Sequence, residues 1–291
     1  MDIIQQIFLD PLQFGFMQRA MLAVILIGIV SGVMGAFVVT RGMAFLGDAL
    51  AHTVLPGVAV AFLSTGGNSS AILIGGLVAG VLSAVGIGLL TRGQRLAEDT
   101  AIGVIFAGAF ALGIGIISRA QNYAADLTHI LIGEILAVST DNLLLIALIG
   151  GAVLVSVVIL YKELLVISFD PTLAQTLRLP GETLRLVLLV LLALTIVIGV
   201  QAVGIVLVAA MLVTPAATAR FFTRRLHSMM ALSAVIAVFS GIAGMYIAWH
   251  ERIAASAAIV LTMTVLFLLA YAFAPERGYI WLLLGRSART A

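Results

Sequence analysis

Asp48 and His52 stand four residues apart inside Met43–Leu63, a stretch with no other charge and long enough to cross a bilayer. At i and i+4 a carboxylate and an imidazole share one helix face, within reach of the same small cation. Charged side chains at membrane depth cost about 2.5–3.5 kcal/mol each on insertion scales, so a retained pair points to function. At a rise of about 1.5 Å per residue, His52 falls roughly 13–14 Å beyond Met43, near the middle of a hydrocarbon core about 30 Å thick. Pro56 cannot donate to the carbonyl of His52, and its position predicts a weakened or broken helix beside the pair. Broken helices are tolerated at that depth where they line a cavity or are buried in protein. The plainer alternative makes Asp48 the N-cap of a helix starting at Ala49 and His52 a partly buried polar side chain.

The elements that must position this pair are read from composition and apolar runs. With 63% hydrophobic and 10% charged residues and a mean hydropathy of +1.24, the chain is an all-α polytopic membrane protein of about 8–9 transmembrane helices. The expected spans are 20–40, 43–63, 70–90, 101–118, 143–160, 184–204, 205–221, 229–249 and 256–273. A turn is expected around Gly199, Gln201 and Gly204, and a kink at Pro215. Nine crossings from an outer N-terminus put twelve of the fifteen basic residues on the cytoplasmic side and leave Arg19, Arg119 and Arg252 outside. The net charge of +2 is therefore a record of orientation rather than of nucleic-acid binding. The absence of cysteine excludes disulfides and thiolate metal sites. No cleaved signal peptide is read at the N-terminus. Residues 1–291 read as a single transmembrane domain.

Two connecting stretches carry patterns of their own. Residues 125–141 (ADLTHILIGEILAVSTD) read as an interfacial or re-entrant helix on the outer side, with His129 and Glu134 as candidates for an entry path. On the cytoplasmic side, residues 168–185 (SFDPTLAQTLRLPGETLR) contain a helix start at Asp170 and Pro171 and a stop at Pro180–Gly181. The single lysine, Lys162, has neither a Gly-rich loop before it nor Ser or Thr after it, so the chain has no phosphate cradle for ATP. The signatures HExxH and GxSxG are absent as well, which leaves an intramembrane hydrolase without support.

GMAFLGDALAHTVLPGVAVAF, DLTHILIGEILAVS, YKELLVISFDPTLAQTLRLP and GIVLVAAMLVTPAATARFF resemble, in the same order, the permease subunits of ATP-driven importers for manganese, zinc and ferrous iron. Their motifs are nearest to those of the manganese permeases. The resemblance implies a type II-like ABC importer permease in a bacterial plasma (inner) membrane. It further implies a second permease copy, a separate cytoplasmic ATP-binding subunit and an extracytoplasmic metal-binding protein as partners. In this family the aspartate and histidine of the GDAxxHxxLPG motif are metal ligands on the translocation path, which falls on Asp48 and His52 here. The SFDPTLA segment is similar to the coupling helix of larger importers, which points to Asp170, Pro171, Leu173, Ala174 and Leu177 as ATPase contacts. A ligand role is not carried over to Glu134. Ala255–Ser256–Ala257 stands where the family more often has a Ser-Gly pair.

One carboxylate and one imidazole are few for a divalent ion, but a two-fold axis would bring two Asp48 and two His52 together. Two oxygens and two nitrogens suit Mn²⁺, Zn²⁺ or Fe²⁺ as a transported ion rather than a permanently bound cofactor. For equal ligands Mn²⁺ is bound more weakly than Fe²⁺ or Zn²⁺, so selection of Mn²⁺ rests on delivery, geometry or availability. The competing function is a proton-coupled secondary cation transporter that uses Asp48 and His52 without any ATPase.

Overall fold

The computed structural model describes residues 10–66, 68–94, 96–118 and 135–274. Among the described residues nine helical segments are long and apolar enough to cross a membrane, in the places the apolar runs predict. The helices are α1 (Gly15–Thr40), α2 (Ala44–Thr53), α3 (Leu55–Thr65), α4 (Ser69–Leu90), α5 (Glu98–Ile117) and α6 (Thr140–Ile159). They continue with α7 (Tyr161–Phe169), α8 (Pro171–Thr176), α9 (Gly181–Val203), α10 (Ile205–Phe222), α11 (Leu226–Glu251) and α12 (Ala255–Phe273). The second span consists of α2 and α3 in series.

Central and peripheral helices differ in what their residues permit. α1 and α9 are apolar around their whole circumference and mostly buried, whereas α5, α6 and α12 leave most of their surface to the outside of the bundle. Small residues let the central helices approach closely, since without a hydrophobic drive between helices packing contacts carry association. A Cβ on Gly32 of α1 would lie 2.6 Å from the Cα of Ala234 on α11. Gly57 of α3 and Gly75 of α4 face each other so closely that a Cβ on either would run into the other's carbonyl oxygen. Gly57→Leu should therefore prise α3 from α4 at a cost of several kcal/mol, at or beyond the about 1–3 kcal/mol typical of overpacking, because backbone cannot yield as a side chain can. In detergent, this variant should show a lower unfolding temperature and reduced monodisperse yield. Gly151→Leu, where a new side chain meets open space, should match the wild type in the same measurement.

Polar pins hold one end of the bundle. Arg185 donates to the hydroxyl of Thr91 at 2.6 Å, to the carbonyl of Gly88 at 3.1 Å and to the carboxylate of Glu182 at 2.8 Å. Arg41 lies 3.7 Å from Glu98. Burial pushes the Arg41 guanidinium below its ordinary pKa, an effect opposed by Glu98 and reinforced by Arg185. Arg220 of α10 reaches the carbonyl of Val39 at 3.4 Å. These contacts bring together the end of α1, the α4–α5 connection, the start of α9 and the end of α10, as strict up-and-down alternation requires. At the opposite end Phe14, Phe16 and Trp249 cluster with ring centroids 5.4–6.3 Å apart. Arg19 there donates to the carbonyl of Val138 at 3.2 Å.

The long apolar stretch between Leu184 and Phe221 is divided at one residue. Gly204 adopts φ 86°, ψ 166°, which only glycine takes without strain, and joins α9 directly to α10. The turn thus falls on Gly204 alone rather than across Gly199–Gly204. Pro215, where a kink is expected, lies inside a helix that runs from Ile205 to Phe222. Prolines inside membrane helices are tolerated where neighbouring helices and hydroxyl side chains re-satisfy the backbone.

Candidate functional site

α2 starts at Ala44, so Asp48 lies in its second turn and caps nothing. The helix ends at Thr53, Val54 joins it to α3, and Pro56 sits in the first turn of α3, where its missing N–H costs no hydrogen bond. The two helices meet at Val54, two residues beyond His52 and two before Pro56. Asp48 is half exposed at 49% and His52 less so at 21%.

The imidazole is held from two sides. Its Nδ1 lies 2.9 Å from the backbone carbonyl of Asp48. A carbonyl oxygen only accepts, so Nδ1 is the donor in this contact and Nε2 is the nitrogen left for another partner. The carboxylate of Asp48 stands 3.7 Å from the same Nδ1, outside hydrogen-bond range. Phe106 and Phe110 of α5, one turn apart and stacked at 5.8 Å, meet the imidazole nearly at right angles at 5.6 and 5.5 Å. These two rings are the part of the site that sequence reading missed. They fix the plane of the imidazole without offering a competing hydrogen bond. Their signal in the sequence is faint: two large rings four apart in the small-residue run GVIFAGAFALG.

Among the described residues no three of His, Asp and Glu come together, so one copy of the chain presents two such groups at this place. Glu134 and His129, the entry-path candidates, lie outside the described residues. Of that outer stretch the structure describes the single 3-10 turn Ile135–Ala137 and the residues that follow it.

The second cluster is α8, at the end of the bundle that carries Arg185. Asp170 caps it as expected, its Oδ1 accepting from the N–H groups of Thr172 and Leu173, both at 2.9 Å. Pro171 occupies the first helical turn. Leu173 and Leu177 are 43% and 55% exposed. Ala174 departs from the expected role: at 3% exposure it faces the protein interior, so it seats the helix and cannot touch a partner.

A bundle of membrane-length helices that keeps a carboxylate and an imidazole open at membrane depth, and projects a capped helix with exposed leucines at one end, has the build of a membrane permease. The chain belongs to the ABC 3 transport family, whose model matches residues 13–274. It is 43% identical over 274 residues to the manganese transport system membrane protein MntC of Halalkalibacterium halodurans, covering 94% of this chain and 92% of that one. Identity to the manganese import system permease protein ScaB of Streptococcus pneumoniae is 39% over 271 residues, 93% and 95% of the two chains. The fold matches a chain of the solved structure described as PsaBC from Streptococcus pneumoniae in complex with Fab. The TM-score is 0.83 at 38% identity, over 96% of this chain and 99% of the other.

Proposed function

We propose that residues 1–291 form one transmembrane domain, the permease subunit of an ATP-driven importer for divalent transition-metal ions, with Mn²⁺ as the leading substrate and Zn²⁺ or Fe²⁺ as alternatives. The observation that carries this reading is the half-open Asp48–His52 pair at membrane depth, in a chain whose relatives are named as manganese permeases. An uncompensated carboxylate in that position is expensive unless it faces a water-filled path or a partner. A second copy related by a two-fold axis supplies both. Two Asp48 carboxylates and two His52 Nε2 atoms then surround one ion, with water or carbonyl oxygens completing the shell. The largely unburied surface of α5, beside the imidazole, leaves room for that second copy.

Transport follows by alternating access. An ion handed over by an extracytoplasmic binding protein enters between two permease copies and is held briefly by the four side chains. A sparse ligand set favours release over storage. ATP-driven closure of a separate ATPase pair, received by α8 and the rest of residues 168–181, then changes which side is open. This assigns the chain to a bacterial plasma membrane, with the N-terminus outside and the end bearing Arg41, Arg92, Lys162, Arg178, Arg185, Arg220, Arg224 and Arg225 in the cytoplasm. The proton-coupled alternative has no observation in its favour, since it gives α8 and its exposed leucines no task.

Reconstitution tests the reading. Proteoliposomes containing the permease, the ATPase and the binding protein should accumulate ⁵⁴Mn²⁺ only with internal ATP and only when all three components are present. Uptake by the permease alone, driven by a proton gradient, would replace the importer with the secondary transporter.

A further inference from the structure

The open part of α2 is a narrow stripe. Beyond Ala44, the residues Leu46, Gly47, Ala49, Leu50, Ala51 and Thr53 are all buried, and only Phe45, Asp48 and His52 are not. These three are spaced i, i+3 and i+7 and therefore lie in one row on a single face. A face that carries an ionisable carboxylate turns to a water-filled path or to protein rather than to lipid. Phe45 shares that face, one turn closer to the end of the bundle that carries Arg41 and Arg185, and the residue is 49% exposed. It is also tied to the site. Phe106 meets the ring of Phe45 edge-on at 6.1 Å and 83°, and the imidazole of His52 at 5.6 Å and 81°.

We propose that Phe45 is the inner gate of the ion path, a ring that an ion leaving Asp48 and His52 for the cytoplasm must pass. Phe106 is the positioning residue that links the gate to the imidazole. The proposal rests on the reading of Asp48 and His52 as the metal site. Around a two-fold axis two Phe45 rings face each other one turn below the four ligands. An apolar constriction of this kind stops a divalent ion by excluding the water the ion carries. Opening needs no new contact, only separation of the two α2 helices. A shift of the imidazole on ion binding reaches Phe45 through the one ring that touches both.

The test uses the complete importer in proteoliposomes loaded with ⁵⁴Mn²⁺, with leak measured in the absence of ATP. Wild-type vesicles should hold the ion. Phe45→Ala should raise the leak at least about tenfold, Phe45→Trp should leave vesicles tight, and adding Asp48→Asn to Phe45→Ala should lower the leak several-fold by removing the charge that recruits the ion. Tight Phe45→Ala vesicles with wild-type uptake, or a leak indifferent to Asp48→Asn, would overturn the gate. Asp48→Asn alone reports on the parent reading: if it abolishes uptake while Phe45→Ala stays tight, the metal site stands and only the gate falls. Should Phe45→Ala fail to assemble, the natural absence of cysteine permits Phe45→Cys as a second probe. A water-soluble thiol reagent should modify it from the cytoplasmic side at rates differing at least tenfold between nucleotide-free and vanadate-trapped importer. Equal or zero modification in the two states would end the proposal.

Discussion

Asp48→Asn and His52→Ala, each in an importer that assembles normally, will lower Mn²⁺ uptake by far more than about tenfold. Even residues that merely support a metal ligand are worth 10–100-fold. Asparagine keeps the shape of Asp48 and removes only its charge. His52→Ala removes Nε2, the nitrogen left free by the Nδ1 hydrogen bond to the Asp48 carbonyl. Asp48 is not needed to hold the fold, since it is half exposed and joins no short ion pair. Removal of a carboxylate from membrane depth should even ease insertion, because a charge there costs about 2.5–3.5 kcal/mol. For Asp48→Asn the signature is thus loss of transport with stability unchanged or raised. Because both residues act on one ion, the double variant should be scarcely worse than either single one, as for any groups that work as a unit. Measured uptake of ⁵⁴Mn²⁺, with unfolding temperatures on the same preparations, decides the matter. Wild-type rates in both single variants would make the pair structural and remove the metal path with it.

The second large effect lies at α8. Leu173→Glu combined with Leu177→Glu alters exposed positions of a helix whose cap, the Asp170 carboxylate, is left intact. Surface changes of this kind usually move stability within about ±0.5 kcal/mol. Against a partner, however, they place two carboxylates where apolar anchors stood. At roughly 2 kcal/mol per lost anchor, docking of the ATPase should weaken by about three orders of magnitude. Copurification of the two subunits should be lost, and ATP hydrolysis should cease to respond to the loaded binding protein. If assembly and coupled hydrolysis survive both charges, α8 does not dock the ATPase. Ala174 offers no such lever: a larger side chain there would unseat the helix from inside, and the loss of coupling would say nothing about contact.

Much of this architecture was legible because membranes make sequence errors expensive. A carboxylate in an apolar run stands out by its cost, and Asp48 with His52 could be singled out on that ground alone. Gly204 and the Asp170–Pro171 start were readable because each solves a local backbone problem that few residues solve. Phe106 and Phe110 were not readable. In α5 a ring that faces an imidazole and a ring that faces lipid are the same residue type, and only the packing of α5 beside α2 distinguishes them. Ala174 was hidden for a related reason, since an alanine between leucines gives no sign of which way a six-residue helix rolls. The pins from Arg185 to Thr91 and Gly88 join residues more than ninety positions apart, beyond the reach of any local pattern.

The single-residue joint at Gly204 bears on how the chain enters the bilayer in the first place. Gly181–Phe222 contains no charge between Arg185 and Arg220, and no polar loop separates its two helices. A translocation channel scanning this stretch meets no hydrophilic segment to pass across and no basic residue at the turn to hold it back. The two helices would therefore partition into lipid together as a closed hairpin, hinged at Gly204. Their shared orientation would be decided by the arginines at the two open ends, Arg185 and Arg220, rather than by anything at the tip.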